Sequence, residues 1–290
     1  MGVLGVLGYR KAAYTETRMK RMITILTDFG LQDGYVAAVK GVIDMCLPQT
    51  RVIDITHQIS PQNVRSAAFI LSTVVPYFSS ETVHLAVVDP GVGTARRLLA
   101  VKTPKGFFVA PDNGLLSLVL KPYIMGVKAD GTLILSSQVQ TVEINNQEYF
   151  SKRPSATFAG RDILAPVAAA LCAEVNITQL GSPVAEIMGL GIEDPVWQDD
   201  ILYGEILHID HFGNVITNIR KTDLPKGKSI SVQLGRHSII GLSCTYSDKA
   251  GLLALIQSNG YLEIAFNGGS AQKATAAQVA QKVQICINKP

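Results

Sequence analysis

The stretch "MITILTDFGLQDGYVAAVKG", residues 22–41, decides the architecture. Ile23 to Leu26 is a strand-like run that stops at Asp28. From Asp33 the pattern turns helical, with Val36, Val39, Val42 and Ile43 spaced along one helix face. A strand, a loop carrying two carboxylates (Asp28 and Asp33), then a helix is the layout of a ligand site in an open α/β sheet. Most nucleotide sites of that layout offer a glycine-rich phosphate cradle. Here acid stands in its place.

On either side of this stretch the same alternation continues. "RVIDIT" (51–56) and "TVHLAVVD" (82–89) read as strands, the second nearly all apolar, as a strand buried on both faces should be. "NVRSAAFILSTVV" (63–75) and "RDILAPVAAALCAE" (161–174) read as helices, and "LLAVKT" with "GFFVAP" as a hairpin around Pro104, Lys105 and Gly106. The pattern predicts an α/β N-terminal domain over 22–182 with a mostly parallel sheet and helical crossovers. A Gly/Pro-containing linker over 183–199 follows. Short strands at close intervals ("YGEILHID", "NVITNI", "ISVQLG", "HSIIGL", "GYLEIAF", "VQICI") then predict a smaller all-β, barrel-like C-terminal domain over 200–290. Residues 1–21 have a short apolar start followed by basic residues, the reverse of a signal peptide, and read as a loose N-terminal extension.

Composition narrows the function. With 290 residues, 47% apolar and 17% charged, the chain has an ample core and is not disordered. A net charge of +3 without a basic run argues against nucleic acid, and no apolar run reaches membrane-spanning length. Cys46, Cys172, Cys244 and Cys286 lie far apart with no C-x-x-C pair, which points to reduced thiols in a cytoplasmic protein.

Polar residues cluster at a few turns. In "VVDPGVGTARR" (87–97) a buried-type strand ends at Asp89 and a Pro-Gly-x-Gly turn returns to Arg96 and Arg97. Such a pair can polarise a water, or can be an ordinary salt bridge that holds a turn. "TFAGRDILAP" (157–166) puts Phe158, Ala159 and Gly160 just before a helix, where free N–H groups meet ligands or where a tight joint needs a glycine. Asp210, Phe212 and Asn214 lie at strand-edge and turn positions, beside His208 and His211, which without a third ligand are read as structural. Tyr246 and the turns of "SNGYLEIAFNGGSA" (258–271) could hold a planar base, or be plain hairpin turns.

Taken together, "TDFGLQDGYVAAVKG", "DITHQISPQNV", "VVDPGVGTARR", "APDNGLLS", "TFAGRDILAP", "IDHFGNVITNI" and "SNGYLEIAFN" resemble, in the same order, the S-adenosylmethionine hydroxide adenosyltransferase family, relatives of fluorinase and chlorinase. The resemblance implies an α/β domain plus a small β-barrel, a homotrimer with sites at subunit interfaces, and S-adenosylmethionine as small-molecule substrate. It implies no metal and no cofactor. Asp28 would bind the ribose hydroxyls; Asp33 and Asp210 would face the methionine ammonium; Ser258 and Asn259 would hold its carboxylate. Asn214 with Asn267 and Gly268 would read adenine, walled by Phe212 and Tyr246. Gln62, Phe158 and Gly160 complete the implied substrate-binding set. Of an Asp, Arg and His triad, Asp89 and Arg96 are present; the family's "TFHGRD" reads "TFAGRD" here, with Ala159 at the histidine position. Three readings stay open: a hydrolase impaired at Ala159, a halide-dependent transferase of the chlorinase or fluorinase type, and a non-catalytic binder of S-adenosylmethionine or adenosine.

Overall fold

The computed structural model describes residues 21–288; the extension read over 1–21 lies outside the described residues except for Arg21. The chain forms two compact units that divide between Gly191 and Ile192.

Among the described residues the first unit holds ten strands: β1 (Ile23–Thr27), β2 (Val52–Thr56), β3 (Val83–Val87), β4 (Leu98–Thr103), β5 (Gly106–Pro111), β6 (Ile124–Val127), β7 (Leu133–Leu135), β8 (Gln140–Ile144), β9 (Gly181–Pro183) and β10 (Glu186–Ile187). Its helices are α1 (Tyr35–Cys46), α2 (Val64–Val74), α3 (Ser117–Leu120) and α4 (Ala165–Cys172). The main sheet runs β2-β1-β3-β5-β4-β8-β9, and β10-β7-β6 form a small second sheet. The pairs β1–β2, β1–β3 and β3–β5 are parallel. Beyond β5 the sheet continues antiparallel through the β4–β5 hairpin, β8 and β9. The expected parallel core is therefore present, with an antiparallel flank beside it.

Both faces of the sheet are covered, which explains its unbroken apolar strands. Ile23 and Ile25 of β1 and Leu85 and Val87 of β3 pack with Val39, Val42 and Ile43 of α1 and with α4. Leu26, Ala86 and Val88 face the other way, toward Ala67 and Leu71 of α2. Because α1 follows β1 and α2 follows β2 on opposite faces, the strand order reverses between β1 and β3. Ligands of open α/β sheets bind at the carboxyl edge of such a reversal.

The joint into α4 has a local cause. Gly160–Leu164 forms a π-helical turn that leads into α4. Pro166 has no N–H to give the carbonyl four residues back, that of Asp162. That carbonyl instead accepts from the Ser151 N–H at 2.9 Å, tying the preceding loop to the helix.

The stretch 183–199 is not free chain: β9 and β10 pair into the first unit, while β11 (Val196–Gln198) pairs with β12 (Ile201–Ile209). The second unit adds β13 (Val215–Arg220), β14 (Ile230–Leu234), β15 (His237–Ile240), β16 (Gly251–Ile256), β17 (Tyr261–Asn267), β18 (Lys282–Ile287) and the short α5 (Ala271–Thr275). Its sheet order is β15-β14-β18-β12-β13-β17-β16. Its ends approach where the Ser243 N–H bonds the Ala254 carbonyl at 2.7 Å. Leu202, Ile206, Val215, Val232, Ile264 and Ile285 fill one interior, so the sheet is nearly closed and barrel-shaped. Among the described residues no helix is long and apolar enough to cross a membrane.

One buried group of the first unit gives a pH test. His84 is fully buried, bonded through Nδ1 to the Thr24 hydroxyl at 2.8 Å and stacked on Phe108. Burial pushes its pKa down to about 4. The unfolded chain therefore takes up this proton first as pH falls, and stability is lost between about 6.5 and about 4. Urea titrations over that window should show a loss on the order of 3 kcal/mol assignable to His84. His84→Asn, which keeps a polar partner for Thr24 but cannot titrate there, should flatten that part of the curve. An unchanged slope would show that His84 does not carry it.

Candidate active site

Three loops meet at the carboxyl edge of the reversal. Thr27 pairs with Val87 in the β1–β3 register, so Asp28 and Asp89 leave neighbouring strands at almost the same level. Neighbouring strands lie about 4.8 Å apart, so the two acidic loops start side by side.

Asp89 is held by Arg96. The Arg96 Nε donates to both carboxylate oxygens at 2.6 and 2.7 Å, and Nη2 donates to Oδ2. Both side chains are largely enclosed, 6% exposed for Asp89 and 13% for Arg96. The intervening turn needs its glycines. A Cβ on Gly91 would stand 3.0 Å from Arg96 Cδ, and Gly93 has φ +84° with the Ala156 carbonyl 3.2 Å from where its Cβ would be. The turn therefore lies along the loop that enters α4.

That loop carries Phe158, Ala159 and Gly160. Ala159 is buried, and Gly160 lies against Val87 and Phe29, with Val87 Cγ1 only 3.1 Å from the site of a Cβ. Phe158 meets Phe29 and Tyr35 edge-on at 5.6 and 5.4 Å, and the Arg161 guanidinium lies 4.8 Å above its ring. Asp162, itself buried, accepts from the Ser155 N–H at 2.8 Å and from Arg161. The structure thus brings together Asp28, Asp89, Arg96, Phe158, Ala159 and Gly160. Gln62 joins them: its N–H donates to Asp28 Oδ2 at 2.8 Å. Asp33 lies two residues before α1 and is exposed. Sequence reading missed Phe29 and Tyr35, although an aromatic after Asp28 and another at the start of the helix were visible signals.

In the second unit Asp210 organises a turn. Its Oδ1 accepts from the N–H groups of Phe212 and Asn214 at 2.9 and 2.8 Å, and its Oδ2 from Asn214 Nδ2 at 3.0 Å. Gly213, at φ +81°, leaves no room for a Cβ beside Ser270, and its carbonyl accepts from the Gln272 N–H at 2.9 Å. This locks Asp210, Phe212 and Asn214 against the turn that follows Asn267 and Gly268. Phe212 is 74% exposed, an aromatic face open to a partner. The Tyr246 hydroxyl donates to Glu263 at 2.9 Å. Burial, with Asp210 adding like charge, holds the Glu263 carboxyl above its ordinary value. Glu263 was not anticipated, because alternation in "YLEIAF" reads it as solvent-facing.

Ser258 and Asn259 form the hairpin turn before β17, whereas Asn267 ends that strand. Seven residues of strand, roughly 20 Å, separate the two sets. A ligand held by both must lie along the strand. Among the described residues no group of three or more His, Cys, Asp or Glu is placed to hold a metal.

With this geometry in view, family comparison is decisive. Residues 23–181 match the SAM hydroxide adenosyltransferase N-terminal domain, and 204–284 match the C-terminal domain of the same family. The chain belongs to the SAM hydroxide adenosyltransferase family. It is 37% identical over 270 residues to an "(R)-S-adenosyl-L-methionine hydrolase" of Salinispora arenicola, covering 91% of this chain and 97% of that protein. A Nocardia brasiliensis "Fluorinase" is 28% identical, covering 88% of this chain and 94% of that one. The crystal structure of an uncharacterized conserved protein from Thermotoga maritima superposes with a TM-score of 0.80 at 37% identity, over 91% of this chain and all of that one.

The enclosed ion pair makes a stability prediction. Arg96→Ala leaves the largely enclosed Asp89 carboxylate without its partner, and should cost about 3–5 kcal/mol in urea unfolding. Asp89→Asn added to Arg96→Ala should recover part of the loss, since a neutral amide is cheaper to bury. A double variant no more stable than Arg96→Ala would contradict this.

Proposed function

We propose that this family member hydrolyses S-adenosyl-L-methionine to adenosine and L-methionine, water attacking the ribose 5′ carbon as the sulfonium leaves. The observation that carries this reading is the Asp89–Arg96 pair at the carboxyl end of β3, beside the loop of Asp28. Arg96 holds Asp89 in one orientation, and the carboxylate has lone pairs left to accept from a water. Methionine departs as a neutral thioether, so no general acid is needed. A hydroxide-like nucleophile meeting a sulfonium cancels charge in the transition state, which favours reaction in a site that excludes water. The names of the hydrolase relatives favour the same reading. The halide reading is weaker because Asp89 would repel a halide in the same pocket.

On this reading Asp28 binds the ribose diol, with Gln62, Phe158 and Gly160 around it. Asn214, Asn267 and Gly268 read the adenine edge beside Phe212 and Tyr246. Ser258 and Asn259 hold the methionine carboxylate, with Asp33 and Asp210 toward the ammonium. The chain assembles as a homotrimer with sites at subunit interfaces and works in the cytoplasm. Neither a cofactor nor a metal takes part.

Ala159 leaves the third position of the triad without an imidazole. Water-positioning and acid–base groups contribute about 100- to 10,000-fold, so turnover should be slow while binding persists. Product analysis after incubation with S-adenosylmethionine, with and without chloride, should yield adenosine and methionine in both cases. A chlorinated nucleoside would favour the transferase, and no product would favour a binder. Ala159→His should raise adenosine release by orders of magnitude with little change in affinity. A less stable Ala159→His protein with no faster release would defeat the triad argument.

Binding is tested separately. Asp28→Ala should weaken adenosine binding in calorimetry by about 1.5–3 kcal/mol, the worth of a charge-assisted hydrogen bond. Equal affinity in the variant would remove Asp28 from the ribose site. Light scattering should give three times the chain mass; a monomer that still binds would remove the trimer alone.

A further inference from the structure

Behind the Asp28 loop runs a polar chain that begins at the solvent-facing Lys40 and Asp54 and ends at two buried residues, His57 and Thr27. Lys40 donates to Asp54 Oδ2 at 2.6 Å. The other oxygen of Asp54 lies 3.1 Å from His57 Nε2. On the far side of the ring, Nδ1 lies 2.9 Å from the Thr27 hydroxyl. Thr27 Oγ1 in turn accepts from the Phe29 N–H at 3.2 Å. Thr27 and His57 are almost fully buried, with 1% and 4% of their surfaces exposed.

Donors and acceptors fix the direction of the chain. The Thr27 oxygen accepts from the Phe29 N–H with one lone pair, and its one hydrogen goes to His57 Nδ1 when the ring proton lies on the Asp54 side. The Asp54 carboxylate, 3.1 Å from Nε2, favours the ring proton on that side by charge, without an aligned hydrogen bond, and so leaves Nδ1 to accept. Burial raises the Asp54 carboxyl, but Lys40 and His57 outweigh it and hold the pKa below its ordinary value. Asp54 therefore stays an anionic acceptor, which is what the Nε2–H tautomer requires.

The same short segment grips the Asp28 loop at two further points. The His57 carbonyl accepts from the Gly30 N–H at 2.8 Å. At the other end of the segment Gln62, with φ +65°, turns its N–H onto Asp28 Oδ2 at 2.8 Å. Residues 57–62 thus hold Thr27 by its side chain, Asp28 by its carboxylate and Gly30 by its backbone.

We propose that His57 is a positioning residue, which through Thr27 and its own carbonyl sets the orientation of Asp28 toward a ribose diol. This rests on the reading of Asp28 as the ribose-binding carboxylate. His57 touches no reacting atom. Its contribution is to fix the φ/ψ of the residues on either side of Asp28, so that the carboxylate meets both hydroxyls at once. Loss of the relay would leave the fold and the adenine contacts of the second unit in place while the Asp28 loop relaxes. The property at risk is discrimination between a diol and a single hydroxyl.

The test compares adenosine with 2′-deoxyadenosine by calorimetry on the full chain, well below the melting temperature. The parent should prefer adenosine by about 10- to 100-fold, as expected for a carboxylate paired with a diol. His57→Leu should bring that ratio to within about threefold of one, which leaves less than about 1 kcal/mol of discrimination. Thr27→Val, nearly isosteric, should do the same and serves as the second route should His57→Leu fail to fold. Thr27→Ser, which keeps the hydroxyl, should retain the parental ratio. A purely structural His57 would lower the melting temperature yet leave the ratio intact, and that result overturns the proposal. A parent that binds adenosine without preferring it to 2′-deoxyadenosine overturns the reading of Asp28 itself, and the proposal with it.

Discussion

A carboxylate cannot sit almost fully enclosed without a partner, and Asp89 depends on Arg96 for one. That requirement shapes the chain around it. The partner lies seven residues on, so the backbone must reverse, and the arginine stem passes close over Gly91, its Cδ 3.0 Å from where a Cβ would stand. Gly93 then takes a left-handed φ and brings the turn against the Ala156 carbonyl. The loop into α4 is thereby set beside Asp89. At its end Gly160 presses on Val87 and Phe29, which reach it from β3 and from the Asp28 loop. A single buried charge pair thus coordinates three loops from distant parts of the sequence.

The sheet supplies the other half of the constraint. β1 and β3 are parallel neighbours, and the helices after β1 and β2 pack on opposite faces, so the strand order reverses between them and both chains leave the sheet at one edge. The two acids stand at that edge, where open α/β sheets bind their ligands. Residues 57–62, arriving from the end of β2, bond to the Asp28 loop. The second unit uses a different device. Asp210 spends its carboxylate on N–H groups of its own turn, and that turn interlocks with Ser270. Its rigidity is local and owes nothing to a sheet edge.

Features governed by neighbours in sequence were legible before any coordinates. The apolar runs of β1 and β3, the β4–β5 hairpin and the helical face of Val39, Val42 and Ile43 follow from periodicity and turn residues alone. Asp28, Asp89 and Arg96 stood out because charge interrupts apolar strands there. What depended on pairing across long separations was not legible. The antiparallel flank formed by β8 and β9 joins residues about 40 apart in sequence, and nothing local in "QTVEI" or "GSP" announces it. Glu263 was hidden by its own strand pattern, since alternation marks it polar and outward while the folded chain buries it under Tyr246. The His57 relay was hidden for a like reason: a histidine after a strand carries no signal until Thr27 is seen across from it.

The account stands on where water attacks. Hydrolysis of S-adenosylmethionine in water enriched in oxygen-18, followed by mass spectrometry of both products, answers that directly. Attack at the ribose 5′ carbon beside Asp89 predicts one heavy oxygen in adenosine and none in methionine. Labelled homoserine alongside 5′-methylthioadenosine would place the attack at the methionine γ carbon and contradict the role assigned to the Asp89–Arg96 pair.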